Sequence, residues 1–208
     1  MAIWALVPVK PFLRSKSRLA GVLSPRARAD LSQGFLRRTL AVLAQVPEIS
    51  QVLVVSRDPA ALALARELRA QTLSEAGAPD LNRALTRATQ AALAEHAAAV
   101  LILPTDLPLL TVADVQTLVA ADGAGMAVAL APDRHGAGTN ALFVRPPGLL
   151  TYAFGPGSFP RHLAQAQAAG AQVRACRLAG LALDVDQPAD LAAYQAACLG
   201  ALDPVCGL

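Results

Sequence analysis

Short apolar segments with strand character alternate with longer helical segments, and this alternation constrains the fold more than any other feature of the chain. Three of the strand-like segments are IWALVPV (3–9), QVLVVS (51–56) and AVLILP (99–104). Helical patterns separate them. Strands separated by helices usually form a parallel sheet that is covered on both faces. The sequence therefore predicts a three-layer α/β fold with a mostly parallel sheet, organised as one domain over residues 1–208.

Helix starts and further strands follow the same plan. Ser24 ahead of a proline predicts the start of the first long helix, and Thr111 with Asp114 predicts a capping box. The segments 125–132 and 140–145 are strand candidates on either side of a Gly-rich loop. Both fit the predicted sheet.

The chain shows no sign of membrane insertion or export. Its longest stretch without Asp, Glu, Lys or Arg, residues 146–160, contains four prolines and three glycines, so it cannot form a spanning helix. The N-terminal apolar run has no basic residue ahead of it and leads directly into Lys10, which is typical of a first strand. The three cysteines lack the CxxC spacing of a zinc site and do not suggest a disulfide framework. We therefore expect a cytoplasmic protein.

Basic residues are concentrated near the N-terminus. Six of them precede the first acidic residue, Asp30: Lys10, Arg14, Lys16, Arg18, Arg26 and Arg28. This asymmetry predicts an anionic partner near the N-terminal loop, although a solvated basic face would give the same pattern. Only Phe12 interrupts the cluster as an aromatic residue and no nucleic-acid-binding motif is present, so we expect no nucleic acid partner.

Two aspartates one residue apart, Asp184 and Asp186, stand in the apolar, strand-like run LAGLALDVDQPADL (178–191), just before a helix start marked by Pro188. On a strand their side chains would leave the same face, with Cα atoms about 6.6 Å apart. Two carboxylates on one side need a cation, strong donors or open water. The simpler alternative is that Asp186 caps the helix beside a solvated Asp184.

Four unusual segments fall at or just after predicted strand ends, where α/β sheets bind ligands. They are PVKPFLRSKSRL (8–19), PTDLPLL (104–110), DRHGAGTNAL (133–142) and DVD (184–186). In addition, FGPGSF would begin a helix, whose free N–H groups favour an anion. Each segment alone could be a turn or a cap. Together they predict a metal-assisted phosphate site.

Other site chemistry has little support. The chain lacks a P-loop and a G-x-G-x-x-G fingerprint, and Ser158 does not lie in a nucleophile elbow. Of the histidines, His96 is expected on a helix surface, and His162 in the first turn of a helix is expected to contact an anion or solvent. His135, in the Gly-rich loop, is the histidine most worth attention.

Five segments together resemble one known family. VPVKPFLRSKSRLAGVLSPRARADL, LPTDLPLL, DRHGAGTNALF, FGPGSFPRHLAQAQAAG and LALDVDQPADL are similar, in order and over nearly the whole chain, to the guanylyltransferases of coenzyme F420 biosynthesis. This family makes phosphoenolpyruvate or 2-phospho-L-lactate guanylyltransferases. The resemblance implies a Rossmann-like fold similar to the nucleotide-diphosphosugar transferases, with GTP as substrate and Mg²⁺, expected as two ions.

The resemblance also implies roles for individual residues. The metal ions would be held by Asp106, Asp184 and Asp186. The phosphorylated acid would be bound by Thr139, Gly155 and Ser158. Lys10 and Lys16 would face the GTP phosphates, and Asn82 would bind the nucleotide. Lys10, Lys16 and Asp106 would act in catalysis.

The implied reaction is the attack of a substrate phosphate oxygen on the α-phosphorus of GTP, with pyrophosphate as leaving group. A phosphate monoester is largely ionised at neutral pH, so no general base is needed. The main barrier is repulsion between two polyanions, which metal ions and lysines reduce. The product with phosphoenolpyruvate would be enolpyruvyl-diphospho-5'-guanosine.

Several alternatives stay open. We expect phosphoenolpyruvate as acceptor, because the Ala- and Arg-rich composition is typical of bacterial chains and bacterial members of the family are associated with it. The same chemistry on 2-phospho-L-lactate is the alternative. More distant alternatives are a sugar-nucleotide-dependent glycosyltransferase and a non-catalytic nucleotide-binding module. The high hydropathy is compatible with a homodimer, but the alanine content accounts for it equally well.

Overall fold

The computed structural model describes residues 2–120 and 125–201. The strands are β1 (Ile3–Val9), β2 (Ile49–Ser56), β3 (Gln71–Ser74), β4 (Ala99–Ile102), β5 (Ala127–Pro132), β6 (Thr139–Arg145) and β7 (Gln172–Ala175). The helices are α1 (Pro25–Leu43), α2 (Pro59–Glu67), α3 (Leu81–Ala94), α4 (Val112–Val119), α5 (Ser158–Ala168), α6 (Ala179–Ala182) and α7 (Pro188–Ala201). Two 3₁₀ turns, Phe12–Arg14 and Ser17–Leu19, follow β1.

The strands form one seven-stranded sheet in the order β3-β2-β1-β4-β6-β5-β7. Every pairing is parallel except those that β6 makes with β4 and β5. The predicted mostly parallel α/β fold is therefore confirmed. The strand order reverses at β1, with β2 on one side and β4 on the other, and such a reversal opens a crevice at the carboxyl ends of the strands.

The direction of β6 has a consequence for the site. Ile102, the last residue of β4, pairs with Leu142 of β6 in antiparallel register. The beginning of β6 therefore extends past the carboxyl end of β4. Thr139, the first residue of β6, consequently lies at the same edge of the sheet as the loops that follow β1 and β4.

Alternate residues of β1 enter two separate cores, one on each face of the sheet. Ala5 and Val7 pack in the cluster that contains Leu36 of α1, whereas Trp4 and Leu6 pack in the cluster that contains Leu85 of α3. All of these side chains are buried. A strand covered on both faces reads as a continuous apolar run, which is why 3–9 shows no polar alternation.

The predicted helix starts are confirmed. The Ser24 side chain accepts a hydrogen bond from the Ala27 N–H, ahead of proline at the first helical position. Thr111 and Asp114 form the predicted capping box of α4. Asp80 caps α3 in the same way by accepting from the Arg83 N–H.

The run before the paired aspartates is not a strand, as the sequence suggested, but contains the short helix α6. The apolar side chain of Leu181 is fully buried there, and its carbonyl oxygen accepts a hydrogen bond from the Asn140 side chain. Gly180 lies directly against the Leu109 carbonyl and the Asp114 side chain, where a Cβ would not fit. Tertiary packing at one glycine therefore overrides the strand pattern.

Within residues 2–120 and 125–201, no helix has the length and apolar character needed to cross a membrane. The expectation that the cysteines form no disulfide holds only in part. Cys176 is a buried free thiol, whereas Cys198 is disulfide-bonded. Cys206 lies outside the described residues.

Candidate active site

A cleft of about 420 Å³ opens at the carboxyl ends of β1 and β4. The loops after these strands and the segment before α7 supply its charged residues: Lys10, Lys16, Asp106, Asp184 and Asp186. The beginning of β6 and the loop before α5 supply Thr139 and Gly155. Seven of the nine predicted site residues thus line one cleft. The remaining two, Asn82 and Ser158, do not line it but hydrogen-bond to residues that form its wall.

Lys16 connects the acidic segments. Its Nζ lies 3.2 Å from Asp106 Oδ2 and 3.1 Å from Asp186 Oδ1, and its side chain is only 8% exposed. The backbone at Lys16 has φ 51° and ψ 37°, a left-handed conformation that is uncommon for a residue with a Cβ. Such a conformation persists only where the surrounding structure fixes it.

The electrostatics of Lys16 follow from this position. Burial acts against the ammonium, but the charges and hydrogen bonds of Asp106 and Asp186 outweigh it and raise the Lys16 pKa above its ordinary value. Lys16 therefore stays a cation throughout the physiological pH range.

Asp184 and Asp186 both line the cleft, whereas Val185 between them is fully buried in a small cluster with Leu19 and Leu31. The predicted sharing of one face by the two aspartates is therefore correct, although the segment is not a strand. The Val185 N–H donates to the Asp106 carbonyl oxygen at 3.0 Å. This bond fixes the two acidic segments against each other.

The two neighbouring aspartates differ in charge environment. Burial and the nearby Asp106 carboxylate raise the Asp184 pKa. Burial also acts against a charged Asp186, but the charge and hydrogen bond of Lys16, with Lys10 and Arg18 adding to them, lower the Asp186 pKa. Of the two aspartates, Asp184 is thus the one whose charge is less well compensated.

The alternative that Asp186 is only a helix cap does not match its contacts. The acid that accepts hydrogen bonds at the start of α7 is Asp190, whose Oδ2 receives the N–H groups of Asp186 and Gln187 at 3.1 and 2.7 Å. Arg134 pairs with the other oxygen of Asp190. Sequence reasoning missed this pair, although an acid two residues after Pro188 is a recognisable sign of a helix start.

The donor chemistry of the cleft fits a hard divalent cation. Asp106, Asp184 and Asp186 offer carboxylate oxygens, the ligands that Mg²⁺ prefers, and Mg²⁺ usually needs only one or two carboxylates beside substrate phosphates and water. Among the described residues, no group of three or more His, Cys, Asp or Glu side chains is arranged as a ready metal site. In this arrangement the Lys16 ammonium bridges two of the three carboxylates.

Ser158 stands behind Thr139. The residue is 1% exposed, and its Oγ accepts a hydrogen bond from the Thr139 N–H at 2.8 Å. Ser158 therefore fixes the backbone of a cleft residue. The N–H groups of Ser158 and Phe159 donate to the carbonyl oxygens of Gly155 and Ala137, so the start of α5 offers fewer free donors than the sequence suggested.

Asn82 also supports the cleft from behind. Its side-chain oxygen accepts from the Phe154 N–H at 2.8 Å, and its amide nitrogen donates to the Phe154 carbonyl at 3.3 Å. Asn82 does not line the cleft. Its contacts position the loop that carries Gly155, which has φ 126° and lines the cleft.

His162 lies differently from the prediction, whereas His135 lies in the predicted loop but away from the cleft. His135 is exposed in a loop closed by Asp133, whose carboxylate accepts three backbone N–H groups, and it does not line the cleft. His162 is wholly buried and contacts Thr139, so the expectation of an anion or solvent contact is wrong. Its place in the first turn of an amphipathic helix gave no sign of this burial.

The other end of the cleft contains residues that sequence reasoning did not single out. Arg57 and Glu75 form an ion pair there, at 3.3 Å between Nη2 and Oε1. Leu81, Ala84 and Asp80, at the start of α3, complete this wall. The cleft therefore combines a strongly charged end with a mixed polar and apolar end.

Comparison with known proteins is consistent with this geometry. A family described as "Guanylyl transferase CofC like" matches residues 3–195. The phosphoenolpyruvate guanylyltransferase of Rubrobacter xylanophilus is 46% identical over 94% of this chain and 95% of its own. The 2-phospho-L-lactate guanylyltransferase of Methanothermobacter thermautotrophicus is 36% identical over 92% of this chain and 83% of its own.

Among solved structures, a provisionally assigned nucleotide-diphospho-sugar transferase from Desulfovibrio desulfuricans has a similar fold. The TM-score is 0.80, with 18% sequence identity, over 97% of this chain and 90% of that chain. At this identity the similarity concerns the fold alone.

Proposed function

The chain belongs to the CofC-like guanylyl transferase family, and from that premise we propose that it transfers GMP from GTP to phosphoenolpyruvate and releases pyrophosphate. It is a nucleotidyltransferase, as its relatives are. The product would be enolpyruvyl-diphospho-5'-guanosine, an intermediate on the route to coenzyme F420. The single observation that carries the proposal is the position of Lys16, between Asp106 and Asp186 in one cleft.

The reaction makes one P–O bond and breaks one. A phosphate oxygen of phosphoenolpyruvate attacks the α-phosphorus of GTP, and the bond from that phosphorus to the β-phosphate oxygen breaks. Pyrophosphate takes the electron pair. Because the attacking phosphate is already largely ionised at neutral pH, no side chain has to remove a proton.

The residues of this chain would act by neutralising and positioning charge. Lys16 and Lys10 would contact the GTP phosphates and stabilise the charge that develops on pyrophosphate. Asp106, Asp184 and Asp186 would hold magnesium, expected as two ions, which supplies Lewis-acid stabilisation of the phosphates when bound. The raised pKa of Asp184 supports this assignment, because a bound cation would favour its charged form.

The acceptor acid would contact Thr139 and Gly155, with Ser158 behind them. The Thr139 hydroxyl can donate to a carboxylate or phosphate oxygen, and Gly155, which has no Cβ, allows close approach. Phosphoenolpyruvate is favoured because the relative of that name is 46% identical to this chain. The alternative is the same reaction on 2-phospho-L-lactate, the acid in the name of a 36% identical relative.

Two other proposals complete the functional description. We propose that the enzyme acts in the cytoplasm on small molecules alone, without a nucleic acid partner. We also propose that it forms a homodimer. Sedimentation of the purified protein would measure its oligomeric state, and a purely monomeric species would contradict this part.

The test of the function is a pyrophosphate assay with magnesium, GTP and either acid. We expect release with phosphoenolpyruvate, and a larger kcat/KM than with 2-phospho-L-lactate. Absence of release with both acids would remove the proposed activity. Release of a nucleoside diphosphate from a sugar donor would instead indicate a glycosyltransferase. Asp30→Asn, at an exposed site outside the cleft, serves as a control that should keep full activity.

A further inference from the structure

His162 takes part in two hydrogen bonds inside the protein, one at each ring nitrogen. Nδ1 lies 3.0 Å from Thr139 Oγ1, and Nε2 lies 2.9 Å from the Ala153 backbone nitrogen. The residue is 0% exposed. The ring therefore links β6 to the loop before α5, the two elements that supply Thr139 and Gly155 to the cleft.

The second bond fixes the tautomer of the ring. A backbone N–H can only donate, so Nε2 must accept from Ala153 and cannot carry a proton. In a neutral imidazole the proton is then on Nδ1. Nδ1–H must therefore donate to Thr139 Oγ1. The charged form of the ring would have a proton on both nitrogens and would lose the Ala153 bond.

The bond from His162 also fixes how the Thr139 hydroxyl can act. Its oxygen accepts from His162, so its single proton is left to donate elsewhere. Among the described residues, Thr139 Oγ1 has no other hydrogen-bond partner, and Thr139 lines the cleft. The proton is thus available to an anionic oxygen inside the cleft.

We propose that His162 is a positioning residue for the acceptor acid: by donating to Thr139 Oγ1 it directs the threonine hydroxyl proton toward a carboxylate or phosphate oxygen of that acid. This inference rests on the proposed function, because it assigns the acid to the Thr139 side of the cleft. It also assigns His162 a role that needs no contact with substrate.

The same geometry excludes a different role for the pair. A threonine beside a histidine could act as a nucleophile with its general base. That role needs a free lone pair on the ring nitrogen that faces the hydroxyl. Here Nδ1 carries the proton and the lone pair is on Nε2, which faces Ala153. Thr139 is therefore a binding donor and not an activated nucleophile.

Burial keeps the ring in the required form. Removal from water, with a further contribution from the Arg161 charge, lowers the His162 pKa from 6.5 to about 4. The ring is consequently neutral at physiological pH. Arg161 also donates to the Ala153 and Pro156 carbonyl oxygens, so the loop is fixed on both sides of Gly155.

Two amide substitutions separate the bonds of His162. Asn places an N–H group near the position of Nδ1, so His162→Asn can keep the donor to Thr139, whereas Gln places its amide near Nε2, so His162→Gln can keep an acceptor for Ala153 only. We expect His162→Gln to raise the KM for phosphoenolpyruvate about tenfold, the effect of one lost hydrogen bond. His162→Asn should stay within about threefold, and the KM for GTP should change little in both. Equal effects of the two variants on the acid KM would overturn the proposal.

A double-mutant cycle tests the coupling to Thr139 directly. Thr139→Val removes the hydroxyl, so His162→Gln should raise the acid KM no further in that background. Independent, multiplying effects would contradict the proposal. Circular dichroism and thermal melting would show that each variant is folded.

A measurement without turnover separates this inference from the proposed function. ¹⁵N NMR of the imidazole nitrogens should show the Nδ1-protonated tautomer for His162, and an Nε2-protonated ring would overturn the inference whether or not the enzyme is active. If the wild-type protein releases no pyrophosphate, the function fails on that result. If it is active but the variants are alike, this inference alone fails.

Discussion

The Val185 N–H donates to the Asp106 carbonyl oxygen at 3.0 Å, so a bond between two main chains holds together acidic segments that are far apart in sequence. Backbone contacts of this kind do not depend on the charge of the cleft. Asp106 and Asp186 can therefore be changed without loss of the frame that places them.

We expect Lys16→Gln to lower kcat by at least about a hundredfold, because it removes the cation that contacts both Asp106 and Asp186. Steady-state pyrophosphate release measures the effect. The matched control is Arg26→Gln, since Arg26 belongs to the same basic cluster but its side chain is 93% exposed. A Lys16→Gln enzyme with near-normal kcat would place the catalytic cation elsewhere.

Asp184→Asn should abolish turnover and at the same time stabilise the protein in the absence of magnesium. The folded state raises the Asp184 pKa, so the ionised carboxylate destabilises it above that pKa, and a neutral amide removes this cost. We expect the melting temperature of Asp184→Asn to lie above that of the wild type. Calorimetry without divalent ions would measure it, and a lower melting temperature would contradict the electrostatic account.

Asn82→Ala should raise the KM for the acceptor acid more than the KM for GTP. The reason is that the Asn82 amide holds the Phe154 backbone next to Gly155 and does not line the cleft. Gln90→Ala, on the exposed face of the same helix, is the control. A selective rise in the KM for GTP would restore the nucleotide-binding role that the family resemblance implies.

The stability of the protein should depend on pH through His162. Its pKa is lowered to about 4 in the folded state, so the unfolded state binds the proton first as the pH falls below about 6.5. The contribution of the neutral His162 ring to the free energy of unfolding is fully present above pH 6.5. It is lost as the pH falls from about 6.5 to about 4. Urea unfolding at several pH values should show a smaller acid loss in His162→Asn than in the wild type. Parallel curves would show that His162 does not titrate in this way.

Two glycines give opposite expectations for the same substitution. A Cβ on Gly180 would lie 2.7 Å from the Leu109 carbonyl oxygen, so Gly180→Ala should destabilise the protein by about 1–3 kcal/mol. Gly34 lies within α1, and a Cβ added there would meet no neighbouring element within 4 Å, so Gly34→Ala should stabilise the protein by about 0.5–1 kcal/mol. Chemical denaturation of both variants is the comparison. Equal effects would contradict the packing assigned to α6.

The sequence predicted the long, strongly patterned elements well, and missed elements that depend on distant contacts. β3 and β7 are four residues long and mostly polar or exposed, so no periodicity marks them. They form because neighbouring strands β2 and β5 offer open edges. The helix α6 occupies an apolar run whose conformation is decided by contacts with α4 and β6.

The site shows the same limit. Strand-end position and the family resemblance together identified seven residues that line one cleft. The contacts of Lys16 with two aspartates, however, could not be predicted from the spacing of these residues in the sequence. His162 and Asp190 were missed because their partners, Thr139 and Arg134, are distant in sequence. Hydrogen-bond networks of this kind are defined by the tertiary structure alone.

Because β6 runs antiparallel to its neighbours, the two sides of the cleft are built from different parts of the chain. Residues assigned to the nucleotide phosphates and the metal come from the loops after β1 and β4 and from the segment before α7. The wall assigned to the acceptor comes from one continuous stretch, 139–162. We therefore expect acceptor preference to depend mainly on this stretch, and its exchange between relatives to change the accepted acid more than the rate of guanylyl transfer.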